Sequence, residues 1–392
     1  MKWTLTIILI ILTTSAIAQE GDADSSSVTV GAYADAYYAY YSNAQNVALQ
    51  QHNSVGAYHN NLGLNTAQIT SSFLTRHFRG TVTIHHGDIA AIAWGEKYRA
   101  VQEANAGVRI ADGLWLEGGY FKTHVGTESF LPKDNLMSII TLGTFYGPFY
   151  QGGVKISYDK GSTHYEAHLI NGYNLHVDNN AEKSVGLLVS HSLSEVNSLT
   201  YSTLYGSEQT GALNNDNLWY QDAYFNHSGE KLELQAGLDV AFALRGSQSL
   251  KSGGSPLVAA LLSAKYHISQ SLAASLRGEY FSDPSNMNSF AYMPFYDTRT
   301  DSSSVYIRPG VNNGLNIIGV TAGLEYSPSD NGFLRVEARY LNDLNGVDGI
   351  GVKDERNGFN AAVAGFNPHV VERVEFVVTA GIYFDKTFTF AR

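Results

Sequence analysis

The sequence predicts an all-β transmembrane barrel of antiparallel strands, with short turns at one rim and long loops at the other. Three observations carry that prediction. Apolar and polar residues alternate with a period of two along most of the 392 residues. The alternating segments mostly run to about 9–12 residues, which is the length of a tilted membrane-crossing strand and nearly twice that of a typical soluble one. Their connections alternate between tight turns and long loops, the stringing expected of an outer-membrane type of barrel.

In chain order the two-faced segments are 28–41, 62–74, 78–87, 99–110, 114–124, 150–158, 163–171, 184–193, 197–206, 217–226, 231–242, 257–268, 271–281, 316–327, 334–340 and 373–384. That is about sixteen strands, with 14 or 18 fitting the pattern nearly as well. Four segments show the alternation most plainly. Arg99, Glu103, Asn105 and Arg109 alternate with Ala100, Ala104, Ala106, Val108 and Ile110. Lys231, Glu233, Gln235 and Asp239 alternate with Leu232, Leu234, Ala236, Leu238 and Val240. Arg335, Glu337 and Arg339 alternate with Leu334, Val336, Ala338 and Tyr340. Arg373, Glu375 and Thr379 alternate with Val374, Phe376, Val378, Ala380 and Ile382. Between segments, Asp112-Gly113, Asp159 to Gly161, Ser194 to Asn197, Ser228 to Glu230 and Ser327 to Asn331 carry tight-turn chemistry. The long connections fall at roughly 43–60, 126–147, 207–216, 243–255, 282–313 and 342–371.

A soluble sandwich alternates too, with its apolar face inward. Two features assign the apolar parity to lipid instead. Charged residues occupy the polar parity of nearly every segment, whereas the apolar parity is lean in volume, rich in Ala and Gly. Aromatic residues also gather at segment ends, at Tyr37, Tyr38, Tyr40 and Tyr41, at Tyr280 and Phe281, and at Tyr383 and Phe384, as girdles at the membrane interface would.

The first residues differ from the rest. Lys2, the apolar run Leu5 to Leu12 and Ala16-Ile17-Ala18 predict a secretory signal peptide over residues 1–18, cut near Ala18, with the barrel over 19–392. No later run of apolar residues is long enough for a membrane helix. An exported barrel of this kind belongs in the outer membrane of a Gram-negative bacterium. Composition narrows the function classes. With no cysteine, disulfides, thiol catalysis and thiolate metal sites are out. A net charge of -11 with no basic patch argues against nucleic acid as a partner. No Walker, dinucleotide or G-x-S-x-G motif occurs, so neither a cofactor nor an enzyme is expected.

The opening strand Gly31-Ala32-Tyr33-Ala34-Asp35-Ala36-Tyr37-Tyr38-Ala39-Tyr40 resembles that of the OmpL-like β-barrel porin family of Gram-negative outer membranes. The resemblance continues through Leu62 to Ala67, Trp115 to Thr123 with Gly126 and Glu128, Gly147 to Val154, and Asn171 to Asn174 with Asp178 to Asn180. These blocks lie in the first half of the chain, and the second half resembles the family in pattern only. The resemblance implies a porin-type barrel for small solutes, without enzymatic activity. One departure stands at the end of the chain. Phe388 and Phe390 alternate as a barrel-insertion signal does, but Ala391 and Arg392 follow them.

The residues expected to line the lumen are the charged ones on polar parities: Asp35, Arg79, Arg99, Glu103, Arg109, Lys155, Glu166, Lys231, Glu233, Asp239, Lys265, Arg277, Glu279, Glu325, Arg335, Glu337, Arg339, Arg373 and Glu375. They would set the field of a water-filled channel. The competing reading is a plugged or narrow lumen whose charges pair across strands. Bases and acids are nearly equal in number here, so neither a cation nor an anion preference follows. His164, Glu166 and His168 share one strand face, spaced so that a metal would need a neighbouring strand's help, and are expected as polar lumen residues. His85, His86 and Asp88 are weaker still as a metal site. His191 with Ser190 or Ser192 is the nearest approach to a hydrolase pair. Two loops stand out. Residues 126–148 hold a short helix-forming stretch, Asp134 to Thr141, and are expected either to fold into the barrel or to cap it. Residues 282–313 carry Met287, Phe290, Tyr292, Phe295 and Tyr296, a surface for a partner or a cover for the rim. Together these readings predict passive diffusion of small hydrophilic solutes. The runner-up is a closed or narrow barrel acting as a surface receptor or an envelope assembly partner. The lipid bilayer is the expected environment, and a homo-oligomer suits a porin of this size.

Overall fold

Long two-faced segments leave every backbone group to be satisfied by a neighbouring strand, and in a bilayer that requirement is met only by closure. In the computed structural model, which describes residues 26–44, 50, 52–178, 182–207, 217–243, 255–284, 314–346 and 371–390, sixteen strands close in this way. They are β1 (Ser26–Tyr41), β2 (Asn61–Leu74), β3 (Phe78–His86), β4 (Val101–Ala111), β5 (Leu114–Lys122), β6 (Tyr150–Lys160), β7 (Thr163–Ile170) and β8 (Ser184–Ser192). The second half comprises β9 (Asn197–Ser207), β10 (Asn217–Ser228), β11 (Leu232–Ala243), β12 (Leu257–His267), β13 (Leu272–Asp283), β14 (Leu315–Ser329), β15 (Gly332–Asp343) and β16 (Glu372–Phe390). Each strand pairs antiparallel with its neighbours in the chain, and β16 returns to β1 in a register running from Ser26↔Phe390 to Tyr41↔Glu375. No helix among the described residues is long and apolar enough to cross a membrane. The expected signal peptide at 1–18 and the terminal Ala391 and Arg392 lie outside the described residues.

The outward parity is apolar. Leu62, Ile69, Leu262, Leu276, Val320, Leu324 and Ile382 are all exposed, as lipid-facing side chains are. The inward parity is not uniformly polar, in contrast to the charged inner faces predicted for nearly every strand. Near the long-loop rim it turns apolar, with Leu204, Leu218, Leu257, Phe281, Leu315, Ile317 and Leu341 all buried inside the barrel. They join one continuous core with side chains of four long-loop connections, among them Val55, Ile89, Trp94, Phe130, Phe145 and Tyr173. Doublets such as Leu261-Leu262 and Ile317-Ile318, which break the alternation, are the mark these apolar inner positions leave in the sequence.

Two bulges aim extra polar residues inward at this core. Between β1 and β2 the register steps from Asp35↔Thr66 to Ala36↔Leu64, so Asn65 is inserted and both Asn65 and Thr66 are buried. Between β3 and β4 the step at Thr83/Ile84 inserts Gln102. A short helix, α1 (Asp88–Ala93), follows β3 inside the barrel. Gly87 starts it at φ 137°, in backbone space that disfavours any side chain, and a Cβ there would lie 2.5 Å from the Asn65 carbonyl oxygen. Nothing in the period-two pattern predicts this inturned segment. Its last turn leads into Trp94, fully buried, stacked on Tyr150 at 4.6 Å and edge-on to His85 at 4.5 Å and Phe130 at 5.1 Å.

Candidate channel constriction

Residues 123–149 leave β5 and rejoin β6 at the long-loop rim, their neck closed by Thr123 N–H donating to Phe149 O at 3.1 Å. Between those points the chain turns into the barrel and crosses to the far wall. A 3-10 turn, Pro132–Asp134, marks its deepest part, and a one-turn helix, α2 (Leu142–Tyr146), its return. Thr141 caps α2, its Oγ1 accepting from Thr144 N–H at 3.3 Å. The helix expected over Asp134 to Thr141 does not form. Its amides have other partners, since Ser138 and Ile139 N–H donate to the Glu337 carboxylate at 2.7 and 2.8 Å. A charge-assisted bond to the wall outcompetes an isolated turn of helix.

The far wall holds this loop along its length. Gly126 N–H donates to Asp222 at 3.1 Å, and Gln235 donates to Thr127 O at 3.0 Å. Gly237 leaves room for that approach, because a Cβ there would collide with the Thr127 hydroxyl. Leu142 N–H donates to Glu279 at 2.9 Å. Arg277 donates to Ile139 O at 2.6 Å and to Glu128 at 2.9 Å. Arg335 donates to Pro132 O at 2.8 Å and Asn135 O at 3.1 Å. Glu128 folds the loop onto itself, accepting from Thr141 N–H at 2.8 Å and from the Thr141 and Thr144 hydroxyls at 2.7 and 2.9 Å. On the near side, His124 lies against Gln151 at 2.9 Å and the Thr203 carbonyl at 3.0 Å, stacked on His168 at 4.1 Å. Burial, and then the neighbouring His168, push its pKa down to about 4.

The charged side chains of this wall are buried and matched. Arg339 pairs with Glu279 at 2.9 Å, Arg373 with Glu375 at 2.5 Å, and Arg335 and Lys265 share Glu325 at 2.5 and 2.7 Å. With Arg277–Glu128 and Glu337, five cations meet five carboxylates. A wall so balanced presents little net field, and removing one partner would leave a buried charge alone. Asp239 is buried opposite Asp222 in the β10–β11 register. Asp35, fully buried, accepts from the Tyr33 hydroxyl at 2.7 Å and from Asn65 at 3.2 Å, and Asn65 in turn accepts from Gly56 N–H at 2.8 Å. That chain of bonds fixes a second inturned segment, 52–58, against the wall.

Towards the short-turn rim the interior is more open. Arg79 bridges Glu117 at 2.5 Å and Ser157 at 2.6 Å and lies 4.6 Å over the Trp115 ring. Lys155 pairs with Glu166 at 2.9 Å, and the same carboxylate takes His168 at 2.9 Å and His164 at 3.3 Å. His164, Glu166 and His168 are thus bonded to one another as a polar ladder, with His164 also on Asp159 at 2.6 Å. Glu233 pairs with His267 at 2.7 Å. Side-chain exposures of 19% for Lys155 and 25% for Arg79, against 0% for Arg277 and Arg339, show where water reaches.

Two of the lumen candidates sit outside the strands and a third lies at the rim. Arg99 belongs to the turn after a 3-10 helix, Glu96–Tyr98, ahead of β4, because the inturned 87–100 segment ends there and the strand starts only at Val101. Lys231 is exposed in the turn before β11, where its carbonyl accepts from His267 N–H at 2.9 Å. Arg109 is at the rim, paired with the turn residue Asp112. For Arg99 and Lys231 the period-two pattern runs past the true strand end, which parity cannot mark, whereas Arg109 keeps its place in β4 opposite Trp115. Glu103 is half-buried on β4, with its carboxylate 3.4 Å from Lys122 N–H. His85 lies inside against Trp94, His86 is exposed, and Asp88 accepts from the Tyr37 hydroxyl at 2.6 Å. The aromatic stretch from Met287 to Tyr306 lies outside the described residues. The loop-anchoring carboxylates Asp222 and Glu128 are absent from the predicted lumen set, and only their charge in a sparsely charged chain singles them out.

A closed sixteen-strand antiparallel barrel with an inturned, wall-anchored loop defines the porin class of outer-membrane protein. Residues 27–367 match the family described as "Putative beta-barrel porin-2, OmpL-like", and the chain belongs to it. Solved structures share the fold at low identity. An anion-selective porin from Comamonas acidovorans is 10% identical with a TM-score of 0.52, covering 92% of this chain and 100% of that one. The outer-membrane channel DcaP of Acinetobacter baumannii is 13% identical at 0.52, covering 92% and 98%. OmpF of Salmonella typhi, solved with daunomycin, is 12% identical at 0.51, covering 91% and 97%. No curated protein matches the chain. Family and fold make it an outer-membrane porin and point to a channel rather than an enzyme.

Proposed function

We propose that this porin is a narrow passive-diffusion channel for small hydrophilic solutes, with loop 123–149 setting the size limit. The observation that carries the reading is the loop's anchorage by Glu279, Glu337, Arg277 and Arg335, which holds it across the lumen, while Arg79, Lys155 and Glu166 keep water-accessible side chains on the short-turn side. Solutes would be solvated by these charges and by hydroxyl groups, with no energy input. Asp35, Glu103, Glu233, Asp239, Arg277, Glu279, Glu325, Arg335, Glu337, Arg339, Arg373 and Glu375 would line or support that path. Because the buried charges of the far wall pair off, ion selectivity would be weak. Residues 1–18 would direct export and be removed after Ala18, which N-terminal sequencing of the mature protein tests. Assembly into a homo-oligomer would be read from its mass in mild detergent.

Single-channel recording in a planar bilayer is the decisive experiment. Steady small steps, with a reversal potential near zero under a salt gradient, are expected. A silent bilayer from protein with a folded β circular-dichroism spectrum would overturn the open-channel reading. The second reading, a closed barrel serving as a surface receptor or assembly partner, is favoured by the apolar core around Trp94, Phe149 and Tyr150, which packs as protein interiors do.

A further inference from the structure

Between the tip of loop 123–149 and the short-turn ends of β11, β12, β14, β15 and β16 lies a cavity of about 230 Å³. It is smaller than the roughly 300–1,000 Å³ of sites for drug-sized ligands, so its occupant is a small molecule. Its charges are distributed unusually. Glu233 and Lys265 are direct register partners across β11 and β12, where opposite charges ordinarily pair. Here they do not. Lys265 is drawn to Glu325 at 2.7 Å, and Glu233 is left with His267 at 2.7 Å as its one partner among the described residues. Arg335 also uses Glu325, at 2.5 Å, so one carboxylate serves both cations at that corner. The opposite corner, at Glu233, keeps an unmatched carboxylate oxygen. Lys133 and Asp134, paired with each other at 2.7 Å, roof the space with one charge of each sign, and the ring of Phe333, under the Arg335 guanidinium at 4.2 Å, gives it an apolar side.

We propose that this cavity is a binding subsite for small zwitterions carrying an ammonium and a carboxylate on one short skeleton, of the free amino acid class. The ammonium is held by Glu233 with Asp134, the carboxylate by Lys265 with Lys133, and a short side chain lies on Phe333. A solute with both charges completes both corners at once. An anion or a cation alone completes one and leaves the other unmatched, which is how a polar site rejects an incomplete ligand. In outer-membrane barrels the short-turn rim faces the periplasm, so the subsite stands at the exit of an inward path.

The inference deepens the porin reading by naming a solute class, and its test reads binding rather than passage, so a silent bilayer would not count against it. The probes are L-alanine, lactate and isopropylamine, which share a three-carbon skeleton and differ in charge, titrated by saturation-transfer NMR into the full-length protein in detergent. L-alanine is expected to bind saturably, with lactate and isopropylamine about tenfold weaker. Glu233→Gln should weaken L-alanine by about tenfold and leave lactate unchanged, and Lys133→Met, at the loop tip, should weaken L-alanine and lactate alike. Thermal melts of both variants check the fold. Equal affinity for all three probes, no saturable binding of L-alanine, or a Glu233→Gln protein that binds L-alanine as wild type does would overturn the proposal.

Discussion

The two halves of the lumen are built on different physics. Towards the long loops, side chains inside the barrel pack as a protein core, with Trp94, Phe149 and Phe281 no more than 1% exposed. Towards the short turns, the interior is a ladder of partly exposed ion pairs such as Lys155–Glu166 and Arg79–Glu117. Loop 123–149 links the two, apolar where it meets the core at Phe130 and Phe145 and charged at its tip, Lys133 and Asp134. In this barrel the apolar core and the water-reached charges stand at opposite ends. A core protects the end exposed to the outside, and charge is kept where solute would be solvated.

The comparison breaks most completely if loop 123–149 is removed. Replacing residues 126–146 with a short Gly-Ser linker should raise single-channel conductance several-fold while the barrel still folds, because the strand ladder does not pass through the loop. Unchanged conductance would mean that the remaining inturned segments, not this loop, limit passage.

Trp94→Ala attacks the core half alone. A cavity of that size should cost about 3–5 kcal/mol, read as a lower midpoint in denaturant, with the short-turn ladder unaffected. Glu337→Gln is narrower. It keeps an acceptor for Ser138 and Ile139 but removes its charge, and each charge-assisted bond lost is worth about 1.5–3 kcal/mol. Amide exchange at Ser138 and Ile139 should accelerate by about tenfold or more, with other amides unchanged.

Acid sharpens the contrast between two inturned segments. The pKa of His124 is depressed from 6.5 to about 4, so its docked form is fully favoured above pH 6.5 and loses ground as pH falls from 6.5 towards 4, when the released ring takes a proton that the docked ring refuses. His176, lowered to about 4 by burial, has the same sign but stacks on Tyr98 at 5.1 Å, so it loosens the end of segment 87–100 rather than α1. Asp88 acts oppositely. Burial raises it to about 6, so below that pH the docked carboxyl is protonated before a released one would be, and α1 is held more firmly as pH falls from 6 towards 3.8. Hydrogen exchange at descending pH should therefore show loop 123–149 loosening before α1. Simultaneous loosening would refute the assignment.

The smallest effect belongs to the open half. Arg79→Gln removes a partly exposed pair, which should change stability by no more than about 1 kcal/mol. Its signature is instead a reversal potential shifted towards cations, because Glu117 then faces water with Lys155 at 3.8 Å as its nearest cation.

Much of the barrel is legible in the residue pattern. The face a strand residue adopts is a local property, so parity alone sets Arg335, Glu337 and Arg339 inward and Leu334, Val336 and Tyr340 outward. Turn chemistry at Asp112-Gly113 marks a hairpin for the same reason. The candidate site is legible only as a set of inward charges. Parity wrongly counts Arg99 and Lys231 as strand residues because it continues past a strand's end, and 87–100 escapes it because Asp88 to Ala93 makes too short a helix to show its period.

By itself the sequence determined the closed barrel, its strand number to within two and the face of most charged residues, since a two-residue repeat and a turn need only neighbours in the chain. Tertiary structure alone decided that loop 123–149 enters the lumen, that Glu337 receives Ser138 across 199 residues, and that Leu257, Ile317 and Leu341 meet Trp94's cluster in an internal core. Those contacts join strands brought together by closure of the ring, and no local pattern encodes which inward side chains will meet across a lumen.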